Sequence, residues 1–347
     1  MTEAAMQALQ NDRFILGENV AKFETEFAKY CGTEYAVAVG SGTAALQLTL
    51  LAAGVKGKVL TTPNSFIATS NAVIQAGMAP LFADVERKSG SMDCAEVKKK
   101  IGRDTSVLLP VHIYGTPFDL EGMAELAEKN GKILIEDACQ AHGARYKGKR
   151  VGSFGLAGCF SFYTTKNMTI GGDGGMVVTS DKKIAEGVKK LRDCGRVSKY
   201  VHDVIGFTSR MNSVNAAVGR EQLRSLDSWN GNRVSLAKEY RKELGGVGDL
   251  EFPKSENSVF HLLVATTKRR DELIKYLTGK EIEAGIHYPI PIHLQPIYRS
   301  MFGYREGMFP NAEEWSRTVI SLPMFPTMSR EELAQVCGAI REFFKSG

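Results

Sequence analysis

Between Tyr35 and Thr179 the chain keeps repeating one unit, a short apolar run followed by a stretch with helical spacing. The runs are YAVAVG, KVLTTP, APLFADV, SVLLPVH, KILIEDA, GCFSFY and GGMVVT, seven strand candidates in all. Near-continuous apolar runs of this length suit strands buried on both faces, and the intervening helices are long enough for crossovers. The pattern therefore predicts an α/β fold with a mostly parallel seven-stranded sheet, helices on both faces, and a site at the carboxyl ends of the strands. GCFSFY and GGMVVT are joined by a stretch too short for a helical crossover, so GGMVVT is expected to run antiparallel.

Helices are expected on either side of this block. Val20, Phe23, Phe27 and Tyr30 fall on one face of an N-terminal helix, and DKKIAEGVKKLRDCG opens a largely helical region after Asp181. A long helical pattern covers Met211 to Gly245, and we place the domain division there, with a large domain over 1–235 and a smaller α+β domain over 236–347. In the latter, SVFHLLVATT reads as a strand and DELIKYLTGKEIEAG as a helix, while Ser329 and Glu332 form a capping box for the last helix. HYPIPIHLQPIY carries too much proline for a helix and reads as a long, stiff, functional loop.

The chemistry concentrates between Lys132 and Thr179. ILIEDA stops at Glu136–Asp137, where a buried parallel strand would open into a site, and Lys166 is the one lysine between Lys149 and Lys182. A carboxylate and an isolated amine at neighbouring strand ends suit pyridoxal phosphate. The amine forms a Schiff base with its aldehyde, and the carboxylate keeps the pyridine nitrogen protonated so that the ring withdraws electrons. Taken singly, the same residues also read as a helix cap and a solvated turn. Ser41-Gly42-Thr43 stands where the first strand hands over to a helix, which suits either an anion cradle or a simple N-cap.

Other classes fit less well. The chain has 347 residues, 43% hydrophobic and 24% charged, with a net charge of +5, and its basic clusters are not interleaved with aromatics, so no nucleic-acid face is expected. There is no GxGxxG after the first strand and no GxxxxGK[ST]. The six cysteines include no CxxC pair and no histidine at metal-ligand spacing, so free thiols and no metal are expected. No apolar run approaches the roughly 18 residues that span a bilayer, and a cytoplasmic protein away from membranes is expected.

GSGTAAL, NSFIATSNAV, IEDACQAHGA, FSFYTTKN, GGDGGMVVT and HYPIPIHLQPIY, in this order and over nearly the whole chain, resemble the DegT/DnrJ/StrS family of sugar aminotransferases. The resemblance implies the aspartate-aminotransferase type of fold (PLP fold type I) and a homodimer with shared active sites. Lys166 would hold pyridoxal 5'-phosphate and shuttle the proton, Asp137 would pair with the pyridine nitrogen, and Gln140 would approach the ring hydroxyl. Gly42, Thr43 and Ser161 would hold the phosphate, and Phe66 would stack on the ring. His287, Tyr288 and His293 would come from the partner subunit to the sugar nucleotide. Many members read G-[FY]-N-Y-R-M where this chain has Gly206-Phe207-Thr208-Ser209-Arg210-Met211, so a shorter Thr208 replaces the asparagine sent to the neighbouring phosphate. The implied reaction moves an amino group from L-glutamate to a nucleotide-linked keto-deoxysugar. Gln140 resembles members acting at C3 more than those with histidine there acting at C4. A keto-cyclitol substrate, or a non-catalytic regulatory role, is the alternative.

Overall fold

The computed structural model describes residues 1–345. All seven apolar runs form strands of one sheet: β1 (Tyr35–Val39), β2 (Lys58–Thr61), β3 (Ala79–Phe82), β4 (Thr105–Leu108), β5 (Ile133–Asp137), β6 (Ala157–Ser161) and β7 (Gly175–Thr179). Their spatial order is β1-β7-β6-β5-β4-β2-β3. Pairings from β3 through to β6 are parallel. β7 is antiparallel to both of its neighbours, as its short connection from β6 requires.

Because side chains alternate along a strand, each strand feeds two cores. Ala36, Ala38, Leu60, Leu108, Leu134, Phe160, Met176 and Val178 pack on one face, against α2 (Glu18–Cys31), α6 (Leu120–Lys129) and the first half of α8 (Ser213–Leu244). Val37, Val39, Val59, Val107, Ile135, Cys159 and Val177 pack on the other, against α3 (Gly42–Ala52), α4 (Ala68–Gln75) and α7 (Lys182–Arg192). The same alternation places the two acids at the end of β5. Glu136 follows Leu134 to the first face, and Asp137 follows Ile135 to the second.

No loop separates the two parts of the chain. α8 runs for 32 residues through the division we placed at residue 235. Its Ala216 and Leu226 belong to the sheet's core, and its Leu236, Ala237, Tyr240 and Leu244 to a C-terminal cluster. That cluster also takes in α9 (Arg270–Gly279), α12 (Arg330–Lys345) and a two-stranded antiparallel sheet of β8 (Leu263–Thr266) and β9 (Val319–Leu322). The capping box forms as expected, with Glu332 Oε2 accepting from Ser329 N at 2.7 Å and Ser329 Oγ from Glu332 N at 3.1 Å.

Three expectations are corrected. SVFHLLVATT is strand only from Leu263, because the backbone N–H groups of Val259 and Leu262 donate instead to Gly115 and Tyr114 of the large domain. DELIKYLTGKEIEAG is helical only to Gly279, since Glu281 takes a left-handed φ of 59° and turns the chain. HYPIPIHLQPIY is not all loop: Pro296 opens α10 (Pro296–Phe302) from its first turn, where the missing N–H costs nothing. The sequence reading also missed the N-terminal helix α1 (Thr2–Asn11), strand β9, and helix α11 (Pro310–Thr318) before it.

Candidate active site

Asp137 is the last residue of β5 and is buried. Its Oδ2 accepts from Thr69 Oγ1 at 2.8 Å and its Oδ1 from the Cys139 N–H at 3.2 Å. Since the Thr69 proton is given to the carboxylate, the 2.8 Å contact between Ser65 and Thr69 has Ser65 as donor. Ser65, just before α4, and Thr69, in its first turn, thus form a short relay that holds Asp137 in place. Glu136, one residue earlier and on the other face, has a structural task. It accepts from His112 Nε2 at 3.0 Å and from the backbone N–H groups of Gly152, Phe154 and Gly155 at 2.7, 2.7 and 3.1 Å.

Helix α3 aims its N-terminus at the end of β6. Ser41 caps it, Oγ accepting from Ala44 N at 3.1 Å, so the N–H groups of Gly42 and Thr43 have no intrahelical partner. A Cβ on Gly42 would stand 2.6 Å from Ser161 Cβ and 2.9 Å from Cys139 Sγ. Glycine is therefore required by the close approach, and the resulting cradle of backbone N–H groups beside the Ser161 hydroxyl is suited to a phosphate.

Lys166 lies in the turn after β6. Burial lowers the pKa of its amine, with Cys139 and Asp137 pulling the other way. Its neighbour Asn167 is locked by three contacts: Nδ2 donates to Asn230 Oδ1 at 2.9 Å and Val259 O at 3.1 Å, and Oδ1 pairs with His261 Nδ1 at 3.3 Å. An amide oxygen accepts, so His261 carries its proton on Nδ1. Burial, with Lys166 next, lowers the pKa of His261 well below the usual range, that of His142 to about 3, and that of His287 as well.

Gln140 is buried, with Oε1 accepting from Tyr114 N at 2.7 Å and Nε2 donating to Tyr288 Oη at 3.0 Å. Tyr288 also lies 5.9 Å from Phe66, ring to ring, and Phe66 is 54% exposed and so free to cover a bound ring. The His287 carbonyl accepts from Tyr114 Oη at 2.6 Å, and its Nδ1 lies 2.8 Å from Ser321 Oγ. Two expectations therefore change. His287 and Tyr288 reach the site of their own chain, because this loop is tied to Tyr114 and Gln140. His293 is instead fully buried, paired with Glu313 Oε1 at 3.0 Å and edge-on to Phe309. Thr208 is exposed, with Oγ1 3.4 Å from Cys194 Sγ, at the base of a projecting segment.

Thr69, Cys139, Tyr114 and His261 were not anticipated. For Thr69 the signal was the Ser65/Thr69 spacing; for the others it is long-range packing, which no local pattern carries. The donor set fits pyridoxal phosphate. There is a phosphate cradle that a Cβ would fill, a carboxylate with its orientation fixed, and a largely buried amine.

The family model described as the DegT/DnrJ/EryC1/StrS aminotransferase family matches residues 1–341. A dTDP-3-amino-3,4,6-trideoxy-alpha-D-glucose transaminase of Streptomyces venezuelae is 41% identical, covering 99% of this chain and 92% of that protein. A UDP-N-acetyl-3-dehydro-alpha-D-glucosamine 3-aminotransferase of Acidithiobacillus ferrooxidans is 38% identical, over 96% of this chain and 90% of that protein. Among solved structures, that of S. venezuelae DesV in complex with a ketimine intermediate superposes with a TM-score of 0.97 at 40% identity, covering 99% of this chain and 94% of the other.

Proposed function

The chain belongs to the DegT/DnrJ/EryC1/StrS aminotransferase family and is a pyridoxal-phosphate-dependent aminotransferase, and from that premise we propose that it transfers an amino group from L-glutamate to the C3 ketone of a nucleotide-linked deoxysugar. The observation that carries the chemistry is the convergence of Lys166, Asp137 and the Gly42 cradle at adjoining strand ends. When bound, the cofactor supplies an electron sink and a temporary carrier for the amino group. Asp137, held by Thr69 and Cys139, sets a fixed negative charge for the pyridine nitrogen. Gly42 and Thr43 offer backbone N–H groups, and Ser161 a hydroxyl, to the phosphate. Lys166 Nζ, its pKa lowered by burial, takes and returns the proton at the reacting carbon.

Gln140, rather than histidine, and the names of two relatives that act at position 3 support C3 over C4. A nucleotide-linked substrate is supported by the same names. The partner arrangement is part of the proposal: a homodimer formed over the exposed segment around Tyr200 and Ile205, which would send Thr208 towards the neighbouring phosphate. The deciding experiment charges the enzyme with L-glutamate and then offers dTDP- and UDP-linked 3-keto and 4-keto sugars and scyllo-inosose to the pyridoxamine form, following its absorbance. Turnover of a 3-keto sugar nucleotide is expected. Reaction with the cyclitol and with no sugar nucleotide would overturn the substrate assignment.

A further inference from the structure

The amide of Gln140 is buried and engaged at both ends, and its orientation has one solution. A backbone N–H can only donate, so the 2.7 Å contact from Tyr114 N identifies Oε1 and turns the NH2 group to Tyr288. The phenol oxygen of Tyr288 accordingly accepts from Gln140, which leaves its own proton to be given elsewhere. Tyr114 is held for this purpose in a left-handed conformation, φ 59° and ψ 7°, unusual for an aromatic residue. Its hydroxyl donates to the His287 carbonyl at 2.6 Å, so one residue ties down both Gln140 and the start of the 287–294 loop.

We propose that Gln140 is a positioning residue that sets the polarity of Tyr288, so that the phenol offers its proton to an acceptor oxygen of the incoming sugar and thereby reads the substrate. The inference rests on the sugar-nucleotide reading above. Burial raises the pKa of the phenol, which keeps that proton in place at working pH. The second N–H of Gln140 Nε2 leaves the expected contact to the cofactor's ring oxygen open. A glutamate at 140 would keep the Tyr114 contact on one oxygen but present a second acceptor to Tyr288. The phenol would then donate inwards and have no proton for the sugar. A methionine would fill the same space and hold nothing.

The test uses the cofactor-loaded enzyme with Gln140→Glu, Gln140→Met, Tyr288→Phe and the Gln140→Glu/Tyr288→Phe pair. Calorimetric binding of dTDP-3-amino-3,4,6-trideoxy-glucose is the first readout, and hydrogen exchange across residues 285–295 the second. Gln140→Glu and Tyr288→Phe should each weaken the probe about tenfold, and the pair should be no weaker than Tyr288→Phe alone, since both remove one contact. Gln140→Met should speed exchange in the loop. Losses that multiply in the pair, wild-type binding by Gln140→Glu, or unchanged exchange in Gln140→Met would overturn the proposal. If the wild-type enzyme binds no such probe, the substrate reading fails and exchange alone decides: faster in Gln140→Met supports the positioning of Tyr288 by Gln140, unchanged refutes it.

Discussion

Two carboxyl groups stand side by side at the end of β5, and the chemistry of each follows from which way it points. Asp137 turns to the α4 face and meets Thr69; Glu136 turns to the opposite face and is consumed by backbone N–H groups. Asp137→Asn is accordingly expected to lower turnover at least about 100-fold and to weaken cofactor retention, since the ring loses its charge partner. Lys166→Ala should lower it by about 10⁴-fold or more, with the protein still folded and still binding cofactor through Asp137 and the Gly42 cradle. Stopped-flow absorbance and circular dichroism check both, and near-normal turnover in either variant would remove that residue from the mechanism. His142 carries a different prediction. It is packed between Phe160 and Phe162, 5.4 and 5.6 Å between centroids, and burial, helped by Lys166 and opposed by the Ser161 backbone, lowers its pKa from 6.5 to about 3. The unfolded chain therefore binds a proton below pH 6.5 that the folded chain refuses, so stability is full above that pH and falls as the pH drops towards 3. The slope is about 1.4 kcal/mol per pH unit for one such group. Urea unfolding from pH 7 to pH 4 should show His142→Phe losing less stability than the wild type; parallel pH curves would rule this account out.

At the scale of elements, the decisive contact is the end-on approach of α3 to β6. Gly42→Ala places a Cβ 2.6 Å from Ser161 Cβ, and the helix must retreat from the cradle to accommodate it. Cofactor affinity is expected to fall about tenfold or more, at a stability cost of about 1–3 kcal/mol. Ser329→Ala is the contrasting variant: it removes the reciprocal cap of α12 and should cost about 1 kcal/mol with cofactor affinity unchanged. Titration of the apoenzyme with pyridoxal phosphate, followed by absorbance, separates the two, and equal affinities in Gly42→Ala and wild type would remove the phosphate from this helix end. α8 is the other element with a double task. It contributes Asn230 to the Asn167 network beside Lys166 and, about two to three turns further, Leu236 and Tyr240 to the C-terminal cluster. The lysine turn and the C-terminal part are thereby fastened to the same rod.

At the scale of the molecule, the exposed segment around Tyr200 and Ile205 is the one on which the proposed homodimer rests. Tyr200 is 81% exposed and Ile205 92%, with Val197, Val201 and Val204 also exposed in the same projecting segment. Exposed apolar side chains grouped in this way suit the proposed interface. Ile205→Asp is expected to convert a dimer into a monomer in analytical ultracentrifugation, and to weaken cofactor retention if Thr208 of that segment serves the neighbouring phosphate. A wild-type monomer, or a dimer untouched by this charge, would refute the arrangement.

The strands, their two-faced alternation and the antiparallel direction of β7 were written in local periodicity and connection length, and so were Asp137, Lys166 and Gly42. Each of these depends on what its near neighbours are, and the backbone's period of two carries the information to the right face. The 287–294 loop is different. Its proline and histidine content announced function, yet nothing local told that His293 would sink onto Glu313, or that Tyr288 would fasten to Gln140, 148 residues away, in its own chain. Nor could a strand pattern in SVFHLLVATT reveal that His261 would leave the ladder to hold Asn167. Those partnerships exist because the C-terminal part closes over the strand ends. Which side chains meet there is decided by the packing of whole elements, once burial obliges each polar group to find a partner.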